Sequence, residues 1–308
     1  MSMSTIQPKS EEGIRPHLET TLIHVKGILA ATDFSEQATL ALRFAARLAK
    51  QLHSRLHVLY TVAPQLYIAD TTALSAELQK IEVERAQEEL HAYASKIPEV
   101  RTTRHEEIAL CGPVIDTIFE IAEMKGIDLL VMGSHGRSGV SKMVLGSVAE
   151  AAIRRLRCPV LVVGPRCARR YGELKSMVFA TDLPAGSLRA AQYAASIARQ
   201  VHAKLTVVHV EVEKARAMPR FDAAEHTAKE LRQLIPHDPD LERPVHYEVV
   251  AGEPAEEILR IAKHGKAGLI VMGAKEYSIL ADHAPWATLS NVIRESHCPV
   301  LAVQPHIA

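Results

Sequence analysis

Glycines at 133, 136, 139 and 146 punctuate a loop that follows the apolar tetrad Leu129-Leu130-Val131-Met132 and leads into a segment of helical spacing. The tetrad has the length of a buried strand and is bounded by Asp128 and Gly133. A strand that ends in a glycine-rich loop and feeds a helix N-terminus suits anion binding. The backbone N–H groups point into the loop, and the helix dipole favours negative charge there. Gly133 and Gly136 let backbone approach phosphates with no Cβ in the way, and Gly146 does the same where the loop closes. Ser147, with Glu150 three residues on, reads as the N-cap of a capping box. Arg137 and Lys142 lie inside the loop, where their charge would neutralise a phosphate chain.

The elements around this loop repeat one pattern. A strand at Gly27–Ala31 runs into Thr32-Asp33-Phe34-Ser35. A helix over 36–52 follows, with Ala38, Ala41, Leu42, Ala45, Leu48, Ala49 and Leu52 on one stripe. Leu56–Val62 is the second strand, about 74–96 a long helix with a charged outer face, and Arg104–Leu110 the third strand. Gly112-Pro113 opens a helix to about Lys125. The loop stretch adds the fourth strand, a helix stopped by Cys158-Pro159, and the fifth strand Val160–Val163. Strands alternating with helices predict an α/β fold, a doubly wound parallel five-stranded sheet covered on both faces.

The chain then repeats itself. Met177–Asp182 answers Ile28–Asp33, Gln200–Leu205 answers Gln51–Leu56, Val271-Met272-Gly273 answers Val131-Met132-Gly133, and Cys298–Leu301 answers Cys158–Leu161. The offset is 149 early and 140 late, so nine residues are missing from the second copy, an expected shortening around its second helix. The expected organisation is an arm at 1–24, a first domain at 25–165, a solvated linker at 166–175 and a second domain at 176–308.

Composition excludes several classes. Equal numbers of basic and acidic residues, 36 each, argue against a nucleic-acid binder relying on bulk charge. No apolar run reaches the ~18 residues of a membrane span, and the polar N-terminus lacks a signal-peptide core. The four cysteines form no CxxC pair, which predicts a reduced, cytoplasmic setting.

Ala31-Thr32-Asp33-Phe34-Ser35, the spacing Gly133-x2-Gly136-x9-Gly146-Ser147, and Cys158-Pro159-Val160-Leu161-Val162-Val163 together resemble the universal stress protein family, in its ATP-binding branch. The resemblance covers residues 26 to 305 in two copies. It implies a Rossmann-like sheet order of 3-2-1-4-5 in each domain. Strands one and four are then neighbours whose connections leave in opposite directions, so Asp33 and Gly133 line the switch-point crevice. The resemblance also implies the ligand, ATP with Mg2+. Ala31 and Thr32 lead into Asp33, which would accept from ribose or adenine. Backbone at Thr61 would read the adenine edge. Met132, Gly133, His135, Gly136, Arg137, Gly146, Ser147 and Val148 would contact ribose and phosphates. In the family the fifth strands pair across a two-fold axis, so the two copies should form an internal pseudo-dimer through Pro159–Val163 and Pro299–Val303. A homodimer of whole chains and an unidentified protein partner stay open.

The second copy departs where it matters most. Gly136 is answered by Glu276, Gly146 by Trp286 and Ser147 by Ala287. A carboxylate repels phosphates, and an indole fills space that backbone needs, so one ATP site per chain is expected, in the first domain. An altered pocket for an adenosine-like ligand without the triphosphate is the alternative for the second. Plainer roles compete at several positions. Asp33 and Asp182 suit turns that cap the following helix. His53 and His202 suit helix ends, and no histidine spacing indicates zinc. Cys158 and Cys298 read as core, and Ser134, Ser138 and Ser141 as exposed loop residues rather than phosphoacceptors. Two function classes remain. One is a nucleotide-dependent regulator in stress response; the other is a slow ATPase or phosphotransferase. The second lacks a P-loop, a catalytic carboxylate pair or a nucleophile–base constellation. A nucleotide-free dimerisation scaffold would require the first loop to be vestigial.

Overall fold

Strands buried on both faces must be apolar throughout, and the central runs Leu129–Gly133, Val160–Val163, Leu269–Gly273 and Val300–Val303 are, whereas the outermost strands His105–Cys111 and His246–Ala251 carry polar residues. The computed structural model describes residues 22–63, 73–136, 145–167, 173–183, 187–212, 221–235, 244–274 and 284–305. The first half carries β1 (Gly27–Thr32), α1 (Glu36–Leu52), β2 (Arg55–Val62), α2 (Ala73–Ala94), α3 (Pro98–Arg101), β3 (His105–Cys111), α4 (Val114–Met124), β4 (Leu129–Gly133), α5 (Ser147–Arg155) and β5 (Val160–Val163). The second half carries β6 (Ser176–Ala180), α6 (Leu188–Gln200), β7 (Lys204–Glu211), α7 (Phe221–Leu234), β8 (His246–Ala251), α8 (Pro254–His264), β9 (Leu269–Gly273), α9 (Ala284–Glu295) and β10 (Val300–Val303).

Each half has the order 3-2-1-4-5, and the halves join into one ten-stranded sheet, β3-β2-β1-β4-β5-β10-β9-β6-β7-β8. All pairings within a half are parallel. The join is antiparallel, with Val300 opposite Val162, Leu301 opposite Leu161 and Ala302 opposite Val160. The expected internal pseudo-dimer is therefore present as a strand pairing. Two apolar layers sandwich the sheet, and each runs across both halves. One contains Leu42, Leu48, Leu161, Phe179, Ile197 and Leu301; the other contains Leu29, Ile118, Ile153, Ile258, Val292 and Val300. The halves thus share their cores. Arg189 of α6 adds a latch, donating to the carbonyls of Arg157 at 2.7 Å and Gln304 at 3.2 Å.

Eight of the nine missing residues are matched by the second helix, 22 residues in α2 against 14 in α7. The short helix α3 was not anticipated; Pro98 at its first turn and Glu99, bonded by Arg43 and Arg47 of α1, hold it. Most of the expected arm lies outside the described residues, but its end is anchored on the second half. Ile23 N–H donates to Ser196 Oγ and its carbonyl accepts from Gln200. The stretch expected to be a solvated linker has two buried side chains, Cys167 and Leu174, because it packs between the halves. His53 and His202 close α1 and α6 in left-handed conformation, φ 55 and 54. Cys298 is core, whereas Cys158 is only partly buried. No helix among the described residues is long and apolar enough to cross a membrane.

His57 on β2 is 4% exposed. Burial holds its imidazole below the ordinary value of 6.5, with Arg55 and Lys125 adding to this and the Glu106 carboxylate opposing it. The folded state therefore binds this proton less readily than the unfolded chain, so stability must fall as pH drops below about 6.5. His297 is shifted the same way by burial. Glu106 is held below 4.5, chiefly by its hydrogen bond from Lys125, and titrates outside this window. The urea midpoint should decline between pH 7 and 5.5, and His57→Gln should flatten that decline. An unchanged slope in the variant would rule the imidazole out as its source.

Candidate functional site

The switch-point crevice is built from the carboxyl ends of β1, β2 and β4, with the starts of α4 and α5 closing it. It encloses a cavity of about 530 Å3. Eleven of the twelve residues expected to hold a ligand line it: Ala31, Thr32, Asp33, Thr61, Met132, Gly133, His135, Gly136, Gly146, Ser147 and Val148. Arg137, with Lys142, Ser138 and Ser141, lies outside the described residues. The apolar wall of Leu59, Tyr60, Val114 and Ile118 was not anticipated. It could have been read from the expected strand order, because residues at the end of β2 and the inner face of α4 must face the same crevice.

Asp33 has two engagements. Its Oδ1 accepts from Ser35 N–H at 3.0 Å, the turn that the plainer reading required. Oδ2 faces the loop, and a Cβ on Gly136 would sit 2.6 Å from it. Asp33 does not cap α1, which is capped by Ser35 Oγ, accepting from Ala38 N–H at 3.2 Å. The turn forces Phe34 to φ 63, and its ring packs against Tyr60 and Tyr93 at 4.3 and 4.7 Å. Asp33 is thus fixed by the chain on both sides.

The glycines serve the walls as much as any ligand. A Cβ on Gly133 would come within 3.1 Å of Gln37 backbone in α1, and one on Gly146 within 2.9 Å of the Ser134 carbonyl. Gly146 N–H donates to that carbonyl at 2.9 Å. This contact starts the helix one residue earlier than the capping box implied. Gly146 is the N-cap, with no side-chain cap bond, and Ser147 is the first helical residue. Glu150 does not reach back to the N-cap; its carboxylate binds Arg154 at 2.9 Å. The first turn of α5 therefore opens into the cavity through Ser147, Val148 and Ala149, and no side chain among the described residues caps it.

Ser134 is not an exposed loop serine. It is 1% exposed, and its Oγ lies 2.9 Å from His135 Nδ1. That contact orients the ring, and His135 Nε2 is buried at the cavity with no hydrogen-bond partner among the described residues. A buried ring nitrogen without a partner is costly unless something else supplies one. Among the described residues no group of three His, Cys, Asp or Glu side chains could hold a metal ion.

In the second half the equivalent helix starts at a different place. With the 140-residue offset, α9 and α5 end at equivalent positions, but α9 has 12 residues and α5 has nine. The N-terminus of α9 lies three residues earlier, about 4.5 Å along the axis. The counterparts of Ser147, Val148 and Ala149 then lie past the first three residues of the helix rather than at its start. Trp286 does not fill the second cavity, as the sequence suggested. The Arg154 guanidinium of α5 lies 4.2 Å from its ring centroid instead. Glu276 lies outside the described residues.

A family model described as the universal stress protein family matches residues 24–164 and again 173–304. A universal stress protein of Methanocaldococcus jannaschii is 34% identical over 139 residues, 45% of this chain and 81% of its own length. One from Mycolicibacterium smegmatis is 23% identical over 295 residues, covering 91% of this chain and 97% of that protein. The crystal structure of a universal stress protein from Archaeoglobus fulgidus superposes with a TM-score of 0.68 at 21% identity, covering 92% of this chain and all of that one, which shows a common fold. The two family matches coincide with the two halves of the sheet, and the chain belongs to the universal stress protein family.

Proposed function

We propose that the first domain, 25–165, binds ATP, that the second, 176–308, has no comparable site, and that ATP occupancy regulates the protein's partners or assembly in a cytoplasmic stress response. One observation carries this reading: the first turn of α5, which no described side chain caps, and the Asp33 carboxylate line the same 530 Å3 cavity. A nucleotide suits both ends. The phosphates take the α5 N–H groups, the dipole and His135 Nε2, with Arg137 adding charge from the loop. The ribose hydroxyls donate to Asp33. Leu59, Val114 and Ile118 cover the base, and the backbone at Thr61 reads its edge. Hydrogen bonds to charged groups contribute about 1.5–3 kcal/mol each, so three or four reach micromolar affinity after association costs. The described residues offer no cage for Mg2+, so the ion would be held by phosphate oxygens and water.

The neighbouring Ser134 and His135 do not make a hydrolytic pair. Ser134 is 1% exposed and its Oγ is held 2.9 Å from His135 Nδ1, which favours a binding role over phosphoryl transfer. Calorimetry of the whole chain with MgATP should give one site per chain. A stoichiometry of two, or no heat at all, would overturn the reading.

A further inference from the structure

Three contacts hold Ser134 at the end of β4. Its N–H donates to the Val163 carbonyl of β5 at 3.0 Å, its carbonyl accepts from Gly146 N–H at 2.9 Å, and its Oγ lies 2.9 Å from His135 Nδ1. Two proton arrangements satisfy the last of these. If Nδ1–H donates to Oγ, the serine hydroxyl proton has no acceptor among the described residues, in a residue 1% exposed. If the hydroxyl donates to Nδ1, both groups are paired. A buried polar group without a partner is costly and rare, so the second arrangement is favoured. A neutral imidazole carries one N–H, and with Nδ1 accepting it must be Nε2–H. That nitrogen is the one buried at the cavity with no hydrogen-bond partner among the described residues. The cavity wall thus presents a donor that is left for a ligand to satisfy.

We propose that Ser134 is a positioning residue, whose hydroxyl fixes His135 as a neutral Nε2–H donor to a phosphate oxygen of the bound ligand. The proposal rests on the nucleotide reading of the first cavity and adds to it the polarity of one contact. A donor at Nε2 calls for an oxygen with lone pairs, and an anionic oxygen makes the stronger bond. The second half shows what the strand end needs without this device. Its own cavity, about 200 Å3, keeps Thr181 and Asp182 at the places of Thr32 and Asp33 but has Ala274 at that of Ser134. Ala274 is 4% exposed and makes the same backbone bond, its N–H donating to the Val303 carbonyl at 2.7 Å. The strand end therefore folds without the hydroxyl. What the hydroxyl adds in the first half is the tautomer and orientation of the ring.

Ring-nitrogen NMR of the ligand-free whole chain reads the tautomer, in alkaline buffer where an unperturbed imidazole is neutral. The His135 signals are assigned by their loss in His135→Ala. The parent should show Nε2–H, and Ser134→Ala should show a mixture of tautomers. In calorimetry with MgATP, Ser134→Ala and His135→Ala should each weaken binding about 10-fold, the worth of one hydrogen bond to a charged group. The double variant should bind no more weakly than His135→Ala alone, because the serine acts only through the ring. A parent ring protonated at Nδ1, a Ser134→Ala affinity equal to that of the parent, or losses that add in the double variant would overturn the proposal. If Ser134→Ala fails to fold, the tautomer of the parent still decides. No heat with MgATP in the parent would overturn the nucleotide reading instead, and the tautomer, read without ligand, would separate that failure from this one.

Discussion

Gly146→Trp should abolish ATP binding by the whole chain while leaving its far-ultraviolet circular dichroism and oligomeric state unchanged. The substitution copies the second half, which has Trp286 at this position and still folds as a complete five-stranded unit. In the first half the residue has a different task. Gly146 is the N-cap of α5, extended at φ −62 and ψ 146, and its N–H is tied to the Ser134 carbonyl at 2.9 Å. A Cβ there would sit 2.9 Å from that same oxygen. Ser134 is buried and cannot yield without moving His135, whose Nε2 faces the cavity. Two outcomes are open to the chain, and both remove the site. Either the loop shifts away from Ser134 and His135, or α5 extends backwards as α9 does and takes its own N–H groups into the helix. The loss should be at least about 100-fold in affinity, about 2.8 kcal/mol at 1.4 kcal/mol per factor of ten. Calorimetry with MgATP measures it. An affinity within a few-fold of the parent would mean that the start of α5 is not where the phosphates sit.

Local patterns made much of this legible in the sequence. Apolar runs of four to eight residues and the alanine–leucine stripe of 36–52 place strands and helices within a residue or two, because each depends only on its own burial. The join through Val160–Val163 and Val300–Val303 came from the family resemblance, in which the fifth strands pair, together with the internal repeat that supplies two of them. The site residues were legible through the strand order that the resemblance implies, because that order puts the ends of strands one and four side by side. What did not show was anything decided by contacts between elements. Ser147 and Glu150 make a plausible capping box, yet the Ser134 carbonyl, reached only in the folded loop, moves the cap to Gly146. Glycines that looked like room for phosphate are first of all room for α1 and for Asp33. Trp286 looked like a plug, but the antiparallel join places α5 within its reach, and the indole meets Arg154 instead. The backward extension of α9 had one local sign, Pro285, which suits the first turn of a helix and not a phosphate loop.

That join is also where a single methyl group should do the most damage to stability. Gly164 follows β5 directly, on the first half's side of the antiparallel pairing, and a Cβ there would overlap the backbone carbonyl oxygen of Ile293 in α9. Ile293 is 1% exposed and belongs to the apolar layer shared by both halves. Its carbonyl lies in the last turn of α9, and the following residues are held as well. Ser296 N–H donates to the Val292 carbonyl, and Ser296 Oγ accepts from Cys298 N–H. Neither side can give cheaply. β5 is pinned between β4 and β10, and α9 is pinned by its own C-terminal turn. Overpacking a core costs about 1–3 kcal/mol, and more where the clash is with backbone, so Gly164→Ala should lower the stability of the chain by about 3 kcal/mol or more. Gly273→Ala supplies the contrast, because no atom of the described residues lies within 4 Å of a Cβ there, and its effect should stay within about 0.5 kcal/mol. Urea denaturation of the two variants measures both. Because the apolar layers cross the join, the Gly164 variant should unfold in one transition at a lower midpoint with an unchanged slope. A transition split in two would show that the halves are stable apart, and a midpoint equal to that of the Gly273 variant would show that the join accommodates the methyl group.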